Sequence, residues 1–529
     1  MFTLLFFGKS KPLFILYKNS KRNRHLSLYY PLFRESMGIA IAPFFVFIVV
    51  LLLISAADSS ANAEGDFDVR QHLSTATRYH VAKEISENSF VPSNSLDQCQ
   101  PIHLNLVARH GTRAPTKKRL KQLEAFAARI EALLGKLKQE KSSVQYIPTW
   151  LWGWKSPWTG KHKGGELISK GEEEMYELGG RTRDKFPELF HEDYHPDLYP
   201  IKASQVSRAS ASAVAFGMGL FSGKGNLGAG RHRAFAVTSE SRASDRVLRF
   251  HDCCQNYKAY RKSQEPFVEK LKEPILNGIT QDLVTRWGLN FTIQDVSSLW
   301  FLCKQEASLL DTIDQACALF SPSEVGLLEW TDDLEAFILK GYGNSLNYRM
   351  GVPLLEDVIQ SMEQAIKAHE DAIAHGNYEM ARLRFAHAET LLPFSCLIGL
   401  FLDESEFEQI QREQPLQLPQ PPQKRTWRGS TAAPFAGNNM LVLYSCPSNN
   451  SSKYFVQVLH NEHPIPVPGC DNSDICPIEM FKERIAAPHL KHDYNSLCSM
   501  DSTQPEKIVP TSKFTHILSW IYPSKKDEL

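Results

Sequence analysis

Apolar and polar residues alternate where the chain first shows order. Ile102, Leu104, Leu106 and Ala108 interleave with His103, Asn105 and Val107, which is strand periodicity. From Lys117 to Glu140 the period changes to that of a helix. Leu120, Leu123, Phe126, Ala127, Ile130, Leu133, Leu134 and Leu137 repeat every three or four positions, and Thr116 is placed to cap the run. The same succession recurs twice. Tyr199–Ala203 reads as a short strand, and small residues from Ala209 to Ala215 suit a closely packed helix after it. Leu383, Phe385 and His387 alternate as on a strand, and Leu391–Phe401 is apolar enough for a buried helix. Each of these strands therefore ends in a turn that leads to a helix.

Other segments are less informative about chemistry. Residues 64–98 form a polar lead-in with modest helix content from Val81 to Ile85. Gly165-Glu-Leu-Ile-Ser-Lys-Gly171 precedes a predicted helix over Glu172–Phe186, with Ser169 as its cap. Helical patterns follow at 263–271, 280–287, 294–309, 331–337 and 354–375, interrupted by a loop at Tyr342-Gly-Asn344 and Asn347-Tyr-Arg349. Met440–Tyr444 reads as a strand, Tyr454–Leu459 with Ile465–Val467 as a hairpin, and Phe481–Ala486 as helix. The glycine-rich stretch 217–232 lacks the Gly-Lys-Ser/Thr ending of a P-loop and reads as a loop. The Pro-, Gln- and Arg-rich stretch 411–430 also reads as a loop. Trp150, Trp152, Trp154 and Trp158 are expected to pack at a seam.

These elements divide the chain into an α/β domain in two parts, 64–204 and 381–525, with a mainly helical insertion at 205–380. A basic extension with a signal or anchor precedes it (1–63), and four residues follow it (526–529).

Composition narrows the function mainly by exclusion. Among 529 residues, Lys plus Arg and Asp plus Glu are both 59, and 43% of residues are hydrophobic. With no net charge there is no global basic field, so nucleic-acid binding gains no support and any polyanion must be gripped locally.

The termini place the chain in a compartment. Gly38–Ala56 is almost wholly apolar, and Ala61-Asn62-Ala63 offers a cleavage site before Glu64, which reads as a secretory signal. Translation from Met37, or an uncleaved anchor that would bring in the membrane, are the alternatives. The chain ends Lys526-Asp527-Glu528-Leu529, the address read by the endoplasmic reticulum retention receptor. A lumenal chain can hold disulfides among its ten cysteines. Their scatter lacks the paired spacing of a zinc site, and no metal or cofactor is expected. Asn290, Asn449 and Asn450 are glycan acceptors in such a compartment.

The candidate chemistry sits on the turns. Val107-Ala108-Arg109-His110-Gly111-Thr112-Arg113-Ala114-Pro115 lies between the first strand and helix, where an open α/β sheet puts its ligands. Two arginines offer forked donors matched to phosphate oxygens on either side of a histidine. This reads as an anion cradle around a nucleophile. Arg208 follows the second strand and could reach the same edge. Arg384-Phe-Ala-His387-Ala-Glu389-Thr390 closes the third. Taken alone, its His-Ala-Glu is equally the start of a helix with a stabilising acid.

Together these strings resemble the signature of the histidine phosphatases, in their acid phosphatase and phytase branch. The resemblance is firm at the two turns and loose between them, over most of residues 98–500. The His-Ala-Glu form departs from the His-Asp of ordinary acid phosphatases and is similar to that of the multiple inositol polyphosphate phosphatases. It implies a three-layer αβα domain with a mainly helical inserted domain. It implies that His110 is phosphorylated, that Arg109, Arg113, Arg208 and His387 hold the phosphate, and that Glu389 protonates the leaving group. It also implies the disulfides Cys99–Cys446, Cys254–Cys498, Cys303–Cys317 and Cys470–Cys476, with Cys253 and Cys396 free.

The function so implied is metal-independent hydrolysis of inositol hexakisphosphate and lower inositol phosphates, with the 3-phosphate of 2,3-bisphosphoglycerate also allowed. A broad lumenal acid phosphatase and a non-catalytic binder of phosphorylated ligands are the competing readings. A polyphosphate needs more positive charge than one cradle supplies. Lys117, Lys118 and Arg119, or Lys155, Lys161, His162 and Lys163, are candidates for the rim, though any single lysine is more often a solvated one.

Overall fold

Gln100–Arg109 forms the central strand β1, nine of whose ten residues are buried. The computed structural model describes residues 67–92, 96, 98–140, 147–160, 164–419, 425–447 and 453–499. The apolar run 38–56, the last four residues, Lys161–Lys163, Asn449 and Asn450 lie outside them. Among the described residues no helix is long and apolar enough to cross a membrane.

The remaining strands are β2 (Ile201–Ala203), β3 (Ala381–Ala386), β4 (Asn438–Ser445), β5 (Tyr454–His460), β6 (His463–Pro464) and β7 (Ile475–Pro477). They form one sheet in the order β2-β3-β1-β4-β5-β6, with β7 on β5. β2, β3 and β1 run parallel, and β4 is antiparallel to β1. The register sets Arg109 beside Ala386 and Ala203 beside Phe385. The carboxyl ends of three parallel strands are thus level, at the edge where an open α/β sheet binds its ligands.

Both faces of the sheet are covered. Leu104, Leu106, Ala108, Leu383, Phe385, Met440 and Val442 pack in one cluster with Met175, Leu178, Phe216 and Leu220, which come from helices Ser169–Lys185 and Ser207–Leu220. Ile102, Val107, Leu441, Leu443, Val456 and Val458 belong to the other cluster. That cluster includes helices Val352–Glu370 and Ala388–Leu397. Alternation along each strand therefore sends side chains into two cores, as in a three-layer α/β fold. The two helices of the first layer approach very closely. A Cβ on Gly179 would lie 2.1 Å from the Phe216 carbonyl oxygen, and one on Gly219 would lie 1.9 Å from that of Tyr176.

Several elements differ from their sequence expectation. The patterns at 263–271 and 280–287 belong to one helix, Gln255–Trp287, which runs through Pro266 and Pro274. An interior proline costs about 3 kcal/mol. Burying Val268, Ile275, Leu276, Ile279 and Leu283 returns about 1.5–3 kcal/mol each, which outweighs two prolines. The 331–337 pattern is the middle of helix Pro322–Lys340, which starts with a Ser321–Glu324 capping box and Pro322 in its first turn. Ser169 is the first residue of its helix rather than the cap; Ile168 occupies that position without a side-chain bond. The 294–309 pattern divides into helix Ile293–Gln305 and a π-turn, Glu306–Leu310, and Phe481–Ala486 is also of π type.

Four disulfides join Cys99–Cys446, Cys254–Cys498, Cys303–Cys317 and Cys470–Cys476. Cys253 and Cys396 are free thiols. Asn290 is exposed.

Candidate active site

Backbone bonds to two other segments fix His110 at the end of β1. Its N–H donates to the Ala386 carbonyl at 3.1 Å, its own carbonyl accepts from Ala436 N–H at 3.0 Å, and Arg109 N–H donates to the Gly437 carbonyl at 2.8 Å. The next residue is held from the first helical layer, since Gly111 N–H donates to Ser212 Oγ at 3.1 Å. Thr112 gives both its N–H and its hydroxyl to the buried Glu174. The turn also meets the start of the Ser169–Lys185 helix backbone to backbone. A Cβ on Gly171 would lie 2.2 Å from the Thr112 carbonyl oxygen, and one on Gly111 2.3 Å from that of Gly171. That contact explains the second glycine of the Gly165…Gly171 string, whose spacing alone gave no mechanism.

The His110 ring is buried, with Nδ1 2.9 Å from the Gly111 carbonyl oxygen. A carbonyl only accepts, so Nδ1 carries the proton and Nε2 presents a lone pair. Burial, and then the neighbouring Arg109, His387, Arg113 and Arg208, keep His110 well below the usual imidazole pKa. The ring stays neutral in acid, as an attacking nitrogen must.

The positive groups converge as the turns suggested. Arg109 is buried, stacks 4.5 Å over the Phe435 ring, and spends Nη1 on the Thr75 and Ala433 carbonyls, each at 2.6 Å. Arg113 donates Nη1 to the Ala114 carbonyl at 2.9 Å. Arg208 places Nη2 3.3 Å from His387 Nδ1. Desolvation and mutual repulsion pull Arg109 down to about 9 and Arg208 to about 10, so both remain cations near neutrality. The His387 ring lies 5.5 Å from that of His110. Its Nε2 contacts Ser204 Oγ and Arg249 Nη1, each at 2.9 Å. Burial and then Arg208 hold its pKa well below normal. A neutral ring accepts at one nitrogen only; taking the shorter Arg249 bond at Nε2 puts the proton on Nδ1, where it faces the donor-only Arg208 Nη2.

Arg249 belongs to no recognisable string, and sequence reasoning missed it. With it, the cradle acquires a feature of physical weight. Nε of Arg109, Arg113, Arg208 and Arg249 is buried and has no hydrogen-bond partner among the described residues. A buried unpaired donor costs on the order of 1–3 kcal/mol. Four of them, on cations around one neutral imidazole, mark a place for an anion.

Glu389, in the first turn of the Ala388–Leu397 helix, acts electrostatically on Arg109, Arg113 and Arg208. Its side chain is 30% exposed and its Oε1 is 3.0 Å from Lys340 Nζ. Lys340, and behind it His251 and His387, hold the carboxyl well below the carboxylate range. His251 is buried, with Nδ1 unpartnered, and desolvation takes it to about 4. Lys340 and His251 also went unseen in the sequence. A lysine at a helix end before Gly341 reads only as a dipole partner.

The candidate rim is less coherent. Lys117, Lys118 and Lys155 are exposed. Arg119 packs its guanidinium 4.9 Å over Phe301. Among the described residues, no group of three or more His, Cys, Asp or Glu side chains is arranged to hold a metal ion.

Comparison with known proteins places this geometry. The model of the Histidine phosphatase superfamily (branch 2) matches residues 102–461. A multiple inositol polyphosphate phosphatase 1 of Dictyostelium discoideum is 26% identical over 456 residues, covering 77% of this chain and 69% of the relative. A phytase of D. castellii superposes with a TM-score of 0.61 at 20% identity, covering 82% of this chain and 88% of its own. A Bifidobacterium longum multiple inositol polyphosphate phosphatase in complex with inositol hexasulfate gives 0.55 at 17% identity, with coverages of 79% and 98%.

Proposed function

The chain belongs to the histidine phosphatase superfamily, branch 2, and from that premise we propose that it hydrolyses inositol polyphosphates, without a metal, through a phosphohistidine. The observation that carries the reading is the set of four buried arginine Nε groups, without partners among the described residues, around the neighbouring rings of His110 and His387. A phosphate monoester near neutrality bears almost two negative charges. It repels an anionic nucleophile but not an uncharged imidazole.

In the first step His110 Nε2 attacks phosphorus in line, the N–P bond forms and the bond to the ester oxygen breaks. Arg109, Arg113, Arg208 and Arg249, with Nδ1–H of His387, hold the non-bridging oxygens and stabilise the charge of the transition state. They take the neutralising role that Mg²⁺ has in other phosphoryl transfers. An inositol alkoxide leaves poorly without a proton, and Glu389 is the group to supply it. Lys340 keeps that carboxyl ionised in the free protein. The dianionic ester beside it opposes Lys340 and raises its pKa, so that the complex carries the proton. In the second step water attacks the phosphohistidine, Glu389 accepts a proton, and inorganic phosphate leaves with His110 restored.

The names of the relatives support the inositol polyphosphate class; the 3-phosphate of 2,3-bisphosphoglycerate is proposed as a further substrate on the resemblance alone. Four disulfides support an oxidising compartment, in keeping with the endoplasmic reticulum lumen read from the terminal segments.

The experiment is product analysis of the purified protein with inositol hexakisphosphate, beside His110→Ala. Phosphate release by the wild type, absent in a folded His110→Ala, is the expected result. Full activity in the variant ends the proposal. Equal kcat/KM on p-nitrophenyl phosphate and inositol hexakisphosphate would favour a broad acid phosphatase. Tight binding without release would favour a non-catalytic binder.

A further inference from the structure

A second charged cluster lies behind the cradle, and the chemistry above does not use it. Glu329 and Asp333 stand one turn apart on the Pro322–Lys340 helix, at 1% and 0% exposure. Lys340, seven residues on, falls on the same stripe of that helix. Asp333 Oδ2 accepts from Arg425 Nη2 at 2.8 Å and Nε at 3.1 Å. Its Oδ1 accepts from Ser74 Oγ at 2.7 Å and Gly429 N–H at 2.8 Å. Glu329 accepts from Arg428 Nη2 at 2.8 Å and Ser430 Oγ at 3.0 Å, forms an ion pair with Arg425 Nη2 at 3.0 Å, and meets His72 Nδ1 at 2.9 Å.

A buried ion-pair cluster is a poor device for stability alone, because desolvation offsets most of the attraction. Its position suggests another use. The bonds from the two carboxylates end on two separate chain segments, 72–74 and 425–430. Thr75, which follows the first segment directly, and Ala433, three residues beyond the second, carry the two carbonyls that receive Arg109 Nη1. Ser74 is held in the left-handed region at φ 49°, a conformation that costs a non-glycine residue energy, and its Oγ is bonded to Asp333. A Cβ on Gly429 would lie 2.3 Å from Ser74 Oγ, 2.9 Å from Asp333 Oδ1 and 3.0 Å from Thr75 N. The two segments therefore touch at the carboxylate.

We propose that Asp333, supported by Glu329, is the positioning residue for Arg109. It clamps the segments that carry the Thr75 and Ala433 carbonyls, which take Nη1 and leave the Nε–Nη2 edge of the guanidinium for two phosphate oxygens. The inference rests on the reading that Arg109 binds the substrate phosphate. It adds the group that decides which edge of the guanidinium does so. A misplacement of about 1 Å at such a group can cost on the order of 100-fold in rate.

The test is a double-mutant cycle on the full-length protein, read by calorimetric binding of inorganic phosphate and by kcat/KM. Asp333→Asn keeps an acceptor for Ser74 and Gly429 but removes the charge that holds Arg425. Ser74→Ala removes one strand of the clamp with little risk to folding. Each is expected to weaken phosphate binding about tenfold in the wild-type background and less than twofold in Arg109→Ala. A structural role alone would give the same loss in both backgrounds. Wild-type phosphate affinity in folded Asp333→Asn, or the same loss with and without Arg109, overturns the inference. If Asp333→Asn does not fold, the Ser74→Ala cycle decides by the same criterion. A wild-type protein that does not bind phosphate overturns both this inference and the phosphatase reading beneath it.

Discussion

Lys340 Nζ lies 3.0 Å from Glu389 Oε1, so the group proposed to deliver a proton is tethered to an ammonium. The pair joins the end of one helix, Pro322–Lys340, to the first turn of another, Ala388–Leu397. It makes the protonation of Glu389 depend on the charge placed beside the pair.

Replacing that ammonium should move the pH profile in one direction. The Lys340 charge lowers the pKa of Glu389, so Lys340→Met lets the carboxyl keep its proton to higher pH. The basic limb of kcat should shift upward by about one pH unit. The acid limb should remain well below pH 6.5, because burial and the arginines keep His110 neutral there. A basic limb that stays put, or moves down, would show that Glu389 is not the acid.

The leaving group should decide how much Glu389→Gln matters. With inositol hexakisphosphate the variant should lose about 100-fold or more in kcat, the usual share of general acid catalysis. With p-nitrophenyl phosphate, whose phenolate departs unaided, the loss should stay under about tenfold. Equal losses on both substrates would sink the role assigned to this carboxyl.

Arg249 touches His387 Nε2 at 2.9 Å and presents an unpartnered Nε. In Arg249→Gln a charge-assisted bond to phosphate is lost, worth about 1.5–3 kcal/mol. Inorganic phosphate, measured as a competitive inhibitor, should bind on the order of 10- to 100-fold more weakly. An unchanged inhibition constant would remove Arg249 from the cradle.

Gly171→Ala tests the contact between the cradle turn and its supporting helix. The new methyl would lie 2.2 Å from the Thr112 carbonyl oxygen, and backbone must yield. The variant should lose about 1–3 kcal/mol in denaturant unfolding together with most of its turnover. Wild-type stability and rate would mean that the turn tolerates displacement.

Buried neutral imidazoles should make the fold acid-sensitive. His251 and His460 titrate near 4 when folded, against about 6.5 in an unfolded chain. Below 6.5 the unfolded state binds more protons, so stability falls with pH until about 4 is reached. Melting temperatures recorded from pH 7 to 4 should decline through that window. A flat curve would contradict the depressed values.

The two turns are legible in the chain, because their chemistry is local. Arg109, His110 and Arg113 are contiguous, His387 and Glu389 are two apart, and each string interrupts a strand-to-helix change in period. That contrast shows without any fold. Tertiary structure alone decided the rest, because the remaining partners arrive from elements whose own spacing encodes only packing. Arg249 precedes a four-residue helical turn, Lys340 ends a helix, and Glu174 lies on a helix face. Nothing local distinguishes them from solvated charges until the parallel register of β1, β3 and β2 brings three strand ends level. The unbroken Gln255–Trp287 helix has the same origin. Its prolines argue locally for a break, and only the apolar side chains buried along its length outweigh them.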